Sequence, residues 1–442
     1  MLARESGTAD RLARMYQTET SSDLLKNKRE LLGSRNSWLH VGATVFLLGM
    51  TSLLADISSE MVSTTLPLYL LVTLRFSPFQ VGVMDGIYQG AAVLVKVISG
   101  LVSDRWRRPK EVAATGYGFS AICRLGLLMV GGSWTGISGV IFLDRLGKGI
   151  RTAPRDAMIA ASSQPWRLAT AFGVHRALDT AGAMIGPLLA AVILIAAPQG
   201  YDAIFVVSFC VALIGLAVIV LFVKNPTNEP IYNQAAVSLR SMSALLSLAD
   251  FRTLIIVGSA LALVTVSDSL LYLALQQRMA IHNGLFPFLY VVTALIFMIL
   301  AIPAGRLADW IGRKPVFFLG YVLLAGAYGT LLLPQMNYPI ALLMLVLLGS
   351  YYAATDGVLM ALASGMLPTH LRTTGLALLT TGTGLARLIA STLYGTAWSW
   401  FGAERALIVF TGGLVAVLLL AWRTVERVKE NLSEQCQNYP TT

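Results

Sequence analysis

GVHRALDTAGAMIGPLLAA, residues Gly173 to Ala191, lies inside a long apolar run, and its reading governs the rest of the chain. Glycine in a helix interior costs about 1 kcal/mol against alanine and proline about 3, so neither is there for helix stability. Gly173, Gly182 and Gly186 fall on nearby helical faces and would let a neighbouring backbone approach closely, as small-residue seams do in membranes. Pro187 removes a backbone donor and bends the helix. His175, Arg176 and Asp179 add charge at helical spacing, which hydrocarbon tolerates only where it faces protein or water. A tight, bent and partly charged membrane helix is expected to work as a gate.

Composition places this helix among many. The 442 residues are 56% hydrophobic and 13% charged, with a mean hydropathy of +0.69, too apolar for a soluble chain with one core. Apolar runs of membrane-crossing length recur to the end and read as twelve spans near 41–70, 79–101, 112–132, 136–160, 169–196, 202–223, 253–277, 285–307, 316–333, 339–366, 375–399 and 405–423. The net charge of +10 is dispersed between the spans, which argues against nucleic acid as a partner. Residues 1–40 are of mixed charge and are expected to form a cytoplasmic segment with no cleaved leader. Lys and Arg concentrate in segments on the side of the termini, whereas the opposite loops and helix ends hold only Arg75, Arg278 and Arg405. Both termini are therefore expected in the cytoplasm of a cell whose inner, or plasma, membrane holds the chain. Segment 224–252 reads as a cytoplasmic linker with a short interfacial helix between bundles 41–223 and 253–425, and 426–442 as a cytoplasmic tail. Cys123, Cys210 and Cys436 have no paired spacing, so no metal site is expected.

The chain repeats itself. GLVSDRWRRPK at 100–110 and GRLADWIGRKP at 305–315 each leave the second span of their half, 205 positions apart. Asp56 pairs with Asp268 and Asp144 with Asp356 at a shift of 212, and Arg176 with Arg387 at 211. An ordered set of this kind is what a duplicated six-helix unit produces.

These residues carry a resemblance to the major facilitator superfamily. The second loop keeps that family's Gly305, Leu307, Asp309, Gly312, Arg313 and Lys314, and the first keeps Gly100, Asp104, Arg105 and Arg108 while replacing a glycine by Arg107 and a basic residue by Pro109. RLGKGIRTA at 145–153 resembles the family's fourth-span motif with Lys148 at the glutamine position, and the Gly173 to Ala191 spacing resembles its fifth-helix antiporter motif with Ala190 and Ala191 at the final glycine pair. The resemblance covers residues 41 to 425 and implies an all-α integral membrane fold, twelve transmembrane helices in two pseudo-symmetric six-helix bundles around a central cavity. It also implies that Arg145 serves proton coupling and that Asp104 and Asp309 clamp one conformation by pairing across helices.

Several side chains are candidates for the cavity. Asp56 and Glu60, one turn apart on the first span with Ser52 and Ser63, read as a proton or cation site, or alternatively as ion-pair partners of Arg124, Lys96 or Arg145. Asp85 reads equally as a cavity group beside Tyr88 and Gln89 or as a solvated outer residue, and Arg124 as a counter-ion. Asp144, Lys148, Arg151 and Arg155 share one face: Asp144 is expected to pair with Lys148, and Arg151 and Arg155 to reach the cytoplasmic surface. His175 and Asp179 form a possible relay, against an Arg176 to Asp179 pair as the plainer alternative. In the second half, Asp268 with Thr265, Tyr272 and Gln276 reads as a polar cavity wall, joined by Asp356 and Arg387, while Tyr351, Tyr352 and Trp398 are aromatic wall or packing groups.

The expected function is proton-coupled antiport that exports a small organic solute, with a proton-coupled importer of a nutrient or metal chelate as the alternative and a non-transporting receptor as a third class. No cofactor is expected, the lipid bilayer and the solute are the expected partners, and the protein is expected to be a monomer. No nucleophile motif or nucleotide loop with enzyme spacing is present.

Overall fold

Hydrocarbon offers backbone amides no partners, so each apolar run must satisfy its hydrogen bonds internally as helix. The computed structural model describes residues 42–106, 108–163, 168–225, 245–367 and 372–437, with backbone alone at 93–106, 168–169, 372–374 and 424–437. Every regular element among them is helical: α1 (Ala43–Ser63), α2 (Pro78–Trp106), α3 (Pro109–Met129), α4 (Trp134–Ala161), α5 (Leu168–Ala196), α6 (Tyr201–Phe222), α7 in two pieces (Ala249–Leu263 and Asp268–Met279), α8 (Phe286–Ile311), α9 (Arg313–Leu331), α10 (Tyr338–Met366), α11 (Arg372–Phe401) and α12 (Ala403–Gln437). Segment 1–40 and most of the 224–252 linker, its expected interfacial helix included, lie outside the described residues. The tail expected from 426 continues α12 as helix.

Ten of these spans are long and apolar enough to cross a membrane by length and composition. The other two are α2 and α4; α4 fails because it carries Asp144, Arg145, Lys148, Arg151, Arg155 and Asp156.

Two spans expected as continuous are broken. α1 stops at Thr64 and Thr65 and resumes as a short helix, Leu66–Leu68, and a π turn, Tyr69–Thr73. Pro67 cannot donate to the turn before it, and the Thr64 and Thr65 hydroxyls donate instead to the Glu60 and Met61 carbonyls at 2.6 and 2.9 Å. α7 breaks across Val264 to Ser267, where β-branched and hydroxyl residues disfavour helix. The freed Val266 amide donates to the Tyr328 hydroxyl at 2.7 Å, and Asp268 opens the second piece in the first turn, where a carboxylate suits the helix dipole.

α3 packs on α4 and α6, and α2 on α4; in the second half α10 packs on α8 and α9, and α7 on α11. Between halves α2 lies along α11 and α5 against α8. The glycines of α5 act within the first half: a Cβ on Gly182 would stand 2.5 Å from the Leu53 carbonyl oxygen of α1, and one on Gly186 2.7 Å from that of Ile57. Gly173, expected in the same seam, opens onto free space. Pro187 is buried inside an α5 that runs on to Ala196.

Gly182→Ala should therefore force α1 from α5 and lower stability by about 1–3 kcal/mol, whereas Gly173→Ala should be neutral or stabilising by up to about 1 kcal/mol. Thermal unfolding of the two variants in detergent, read as Tm, checks the contrast.

Candidate functional site

α3 and α4 touch backbone to backbone, since a Cβ on Gly116 would stand 2.8 Å from the Gly147 carbonyl oxygen. This contact seats a buried ionic cluster. Asp144 takes Arg124 Nη1 at 2.7 Å and also the guanidinium of Arg145, whose Nε lies 3.0 Å away. Arg145 donates to Ser59 Oγ of α1 at 3.2 Å and stacks over the Tyr88 ring of α2 at 3.9 Å. Both basic partners thus come from the third span and the adjacent residue. The expected Asp144 to Lys148 pair does not form, because two guanidiniums already occupy that carboxylate.

Arg151 and Arg155 turn inward rather than reaching the surface. Arg151 meets Asp56 of α1 at 3.5 Å and stacks on Tyr117, while Arg155 binds Asp156 at 3.0 Å, approaches Asp179 at 3.8 Å and donates to Ser52 Oγ at 3.0 Å. Asp56 and Glu60 are separated: Asp56 joins Arg151, and Glu60 accepts from Ser63 Oγ at 2.6 Å. Of the basic partners weighed for them, Arg145 interacts with Glu60 through space, and the Lys96 side chain lies outside the described residues. In place of the expected Asp56 and Glu60 site, the carboxyl of Asp56 stands within hydrogen-bonding reach of Asp179 on α5. The His175 and Asp179 relay is likewise absent, because His175 Nε2 bonds Ser52 Oγ at 2.9 Å. Arg176, 78% exposed along its side chain, approaches Asp179 at 3.9 Å, the plainer alternative.

In the second half Asp268 accepts from the Tyr352 hydroxyl at 2.7 Å. Tyr272 is core rather than cavity wall: fully buried, it donates to Thr293 at 2.7 Å and stands edge-on to Tyr290, with ring centroids 4.6 Å apart. Gln276 donates to the Ile281 carbonyl and Thr265 to that of Leu261. Asp356 is exposed, and Arg387 is half-buried on the facing α11. Tyr351 and Trp398 are buried packing groups.

Among the described residues, close backbone contacts between halves lie at the end remote from the termini. A Cβ on Gly82 would stand 2.5 Å from the Ser391 carbonyl oxygen, one on Gly395 2.5 Å from that of Pro78, and one on Gly284 2.7 Å from Ile195. Phe79 N donates to Ser399 Oγ at 2.7 Å. Inside this seam Asp85 is buried and accepts from Ser391 Oγ at 2.7 Å, near Ser267 of the α7 break and Ser269 just beyond it. The solvated alternative for Asp85 is excluded. The signal for this seam was present in the sequence, because Gly82, Gly86 and Gly90 recur every fourth residue and Ser391 and Gly395 answer them.

Among the motif loops, Gly312 takes φ +100°, a conformation glycine adopts without strain, between α8 and α9. Asp309 pairs locally with Arg313 at 3.9 Å, both side chains exposed, instead of clamping across helices. Arg313 makes the cross-helix contact, donating to the Ala361 carbonyl of α10 at 2.8 Å. A Cβ on Gly305 would meet nothing within 4 Å, and Arg108 is exposed before α3. The side chains of Lys96, Gly100, Asp104 and Arg105 lie outside the described residues. No group of three or more His, Cys, Asp or Glu among the described residues is placed to hold a metal ion.

A family model described as Major Facilitator Superfamily matches residues 48–391 and 294–435. The chain belongs to the major facilitator superfamily. It is accordingly a multi-pass membrane transporter and not an enzyme. An uncharacterised MFS-type transporter of Methanocaldococcus jannaschii is 32% identical over 372 residues, 80% of this chain and 88% of the relative. Among solved structures, a mutant of the nucleoside transporter NupG superposes with a TM-score of 0.76 at 14% identity, over 86% of this chain and 99% of that one. A POT family transporter in complex with 5-aminolevulinic acid gives 0.74 at 12% identity, over 87% and 96%. At those identities the structural likeness speaks for the fold.

Asp144→Asn should lower the stability of this MFS protein by about 3–5 kcal/mol, because it leaves buried guanidiniums without their counter-charge. Adding Arg124→Met should recover part of that loss, and chemical denaturation of the three chains in detergent measures the coupling. In a background lacking Cys123, Cys210 and Cys436, a cysteine replacing Ser391 should be shielded from an aqueous maleimide and become several-fold more reactive when Gly395→Leu wedges the α2 and α11 seam apart.

Proposed function

We propose that this chain exchanges a small organic solute for protons by alternating access, exporting the solute from a cell whose inner membrane holds it with both termini in the cytoplasm. Bundles 41–223 and 253–425 rock about the cleft between them, and the α2 and α11 contacts hold the end remote from the termini closed in the described arrangement. The observation that carries the reading is the approach of Asp56 to Asp179 across α1 and α5. Two carboxyl groups that face one another in this way make a site where a proton can be taken up and released. Arg151, Arg155 and Lys148 surround the pair and stabilise it once that proton has left. Proton loss thereby changes what α4 must neutralise, and α4 is the helix whose charges bind α1, α3 and α5 together. The fifth-helix motif favours export; import by symport uses the same carboxyls with the opposite flow.

The test is transport in reconstituted vesicles under an imposed pH gradient, following internal pH while radiolabelled amino acids, nucleosides, dipeptides and a lipophilic cationic dye are offered. Solute leaving as protons enter, with coupling reduced at least tenfold in Asp179→Asn and in Asp56→Asn, is the expected outcome. Solute and protons moving together would replace antiport by symport. Undiminished proton flux in both variants would remove the carboxyl pair from the mechanism.

A further inference from the structure

The duplicated halves treat equivalent positions differently. Asp144 and Asp356 correspond at a shift of 212, at which Arg145 corresponds to Gly357, and at the 205 shift of the loops that open α3 and α9 Arg124 corresponds to Gly329. The two bases that neutralise Asp144 have therefore no counterparts beside Asp356. Arg387 on α11 is the basic group acting on it. Asp356 is exposed although it lies within the membrane-crossing α10, and neither it nor Arg387 makes a hydrogen bond or ion pair among the described residues. Arg387 has Tyr351, Tyr352 and Tyr321 as further neighbours, which places it toward the helix-packed interior rather than toward lipid. Asp268, the other acid nearby, is engaged by Tyr352.

A single charge bound here would neutralise one of these groups and leave the other uncompensated at membrane depth, where an unpaired charge is strongly disfavoured. A solute with both charges meets each group with its opposite and leaves the site neutral. We propose that Asp356 and Arg387 form the solute-recognition site, and that its class of substrate is a zwitterion, with an ammonium on Asp356 and a carboxylate on Arg387. The guanidinium fork suits a carboxylate in two-point contact. Tyr352, partly exposed beside them, supplies an amphipathic wall for the body of the solute. The first half then carries the paired charges that couple, and the second the unpaired charges that select.

This inference rests on the transporter reading but not on the coupling ion, because binding in detergent needs no gradient. The experiment measures Kd by calorimetry on the purified full chain for L-phenylalanine, 3-phenylpropionate and phenethylamine, and for L-leucine, 4-methylpentanoate and isopentylamine. Each amino acid is expected to bind at least tenfold more tightly than the acid or the amine of the same body. Arg387→Gln should make the amine the best ligand of its set, and Asp356→Asn the acid, a reversal of rank that a merely misfolded variant does not produce. Equal binding across each set, no binding by either amino acid, or a uniform loss in both variants overturns the proposal. Loss of proton coupling with these preferences intact would instead count against the carboxyl pair of the first half.

Discussion

Asp144 between Arg124 and Arg145 is the interaction on which the first half depends. A membrane-embedded helix with the charges of α4 has no stable place in hydrocarbon by itself, and it becomes tolerable only when every charge finds a partner on a neighbouring helix. The Gly116 and Gly147 contact lets α3 come close enough for Arg124 to do this. The same requirement draws α1 in through Asp56 and Ser59, and α5 through Asp179. Charge neutralisation and helix packing are one constraint here, because neither the ion pairs nor the close backbone approach persists without the other.

The two halves resolve that constraint in opposite ways. In the first, bases and acids alternate across α1, α3, α4 and α5, so a proton gained or lost at one carboxyl is felt along the whole cluster. In the second, tyrosine hydroxyls and aromatic edges replace most of the charges, as in the Tyr321, Tyr351 and Tyr352 stack. Away from the helix ends, Asp268, Asp356 and Arg387 carry the ionic character described in that half. Gly357 follows Asp356 where Arg145 follows Asp144, so Asp356 lacks the adjacent base that Asp144 has.

Between the halves, the seam of α2 and α11 is built from absent side chains. Gly82 and Gly395 bring the backbones together, and the buried Asp85 sits among hydroxyls within it. A seam with little side-chain interlocking separates and re-forms without repacking a core, which suits a gate that opens in each transport cycle. The glycines of α5 do a different job, fixing α1 to α5 inside one half.

The membrane fold, the duplication and the family were legible in the sequence, because hydropathy over twenty residues and motif spacing are local properties that tertiary contacts scarcely alter. So was the counter-ion role of Arg124, since a lone base in a span has few other uses. Partner choice was not legible. Helical spacing put Asp56 with Glu60, Asp144 with Lys148 and His175 with Asp179, yet Asp56 faces Asp179, Asp144 takes Arg124 and Arg145, and His175 takes Ser52. One turn of a helix makes a contact available, but a buried charge goes to whichever partner best replaces its lost water, and that partner stands on another helix. The breaks in α1 and α7, the inward turn of Arg151 and Arg155 and the close seam at Gly82 and Gly395 were settled in the same way, by how helices approach one another in three dimensions.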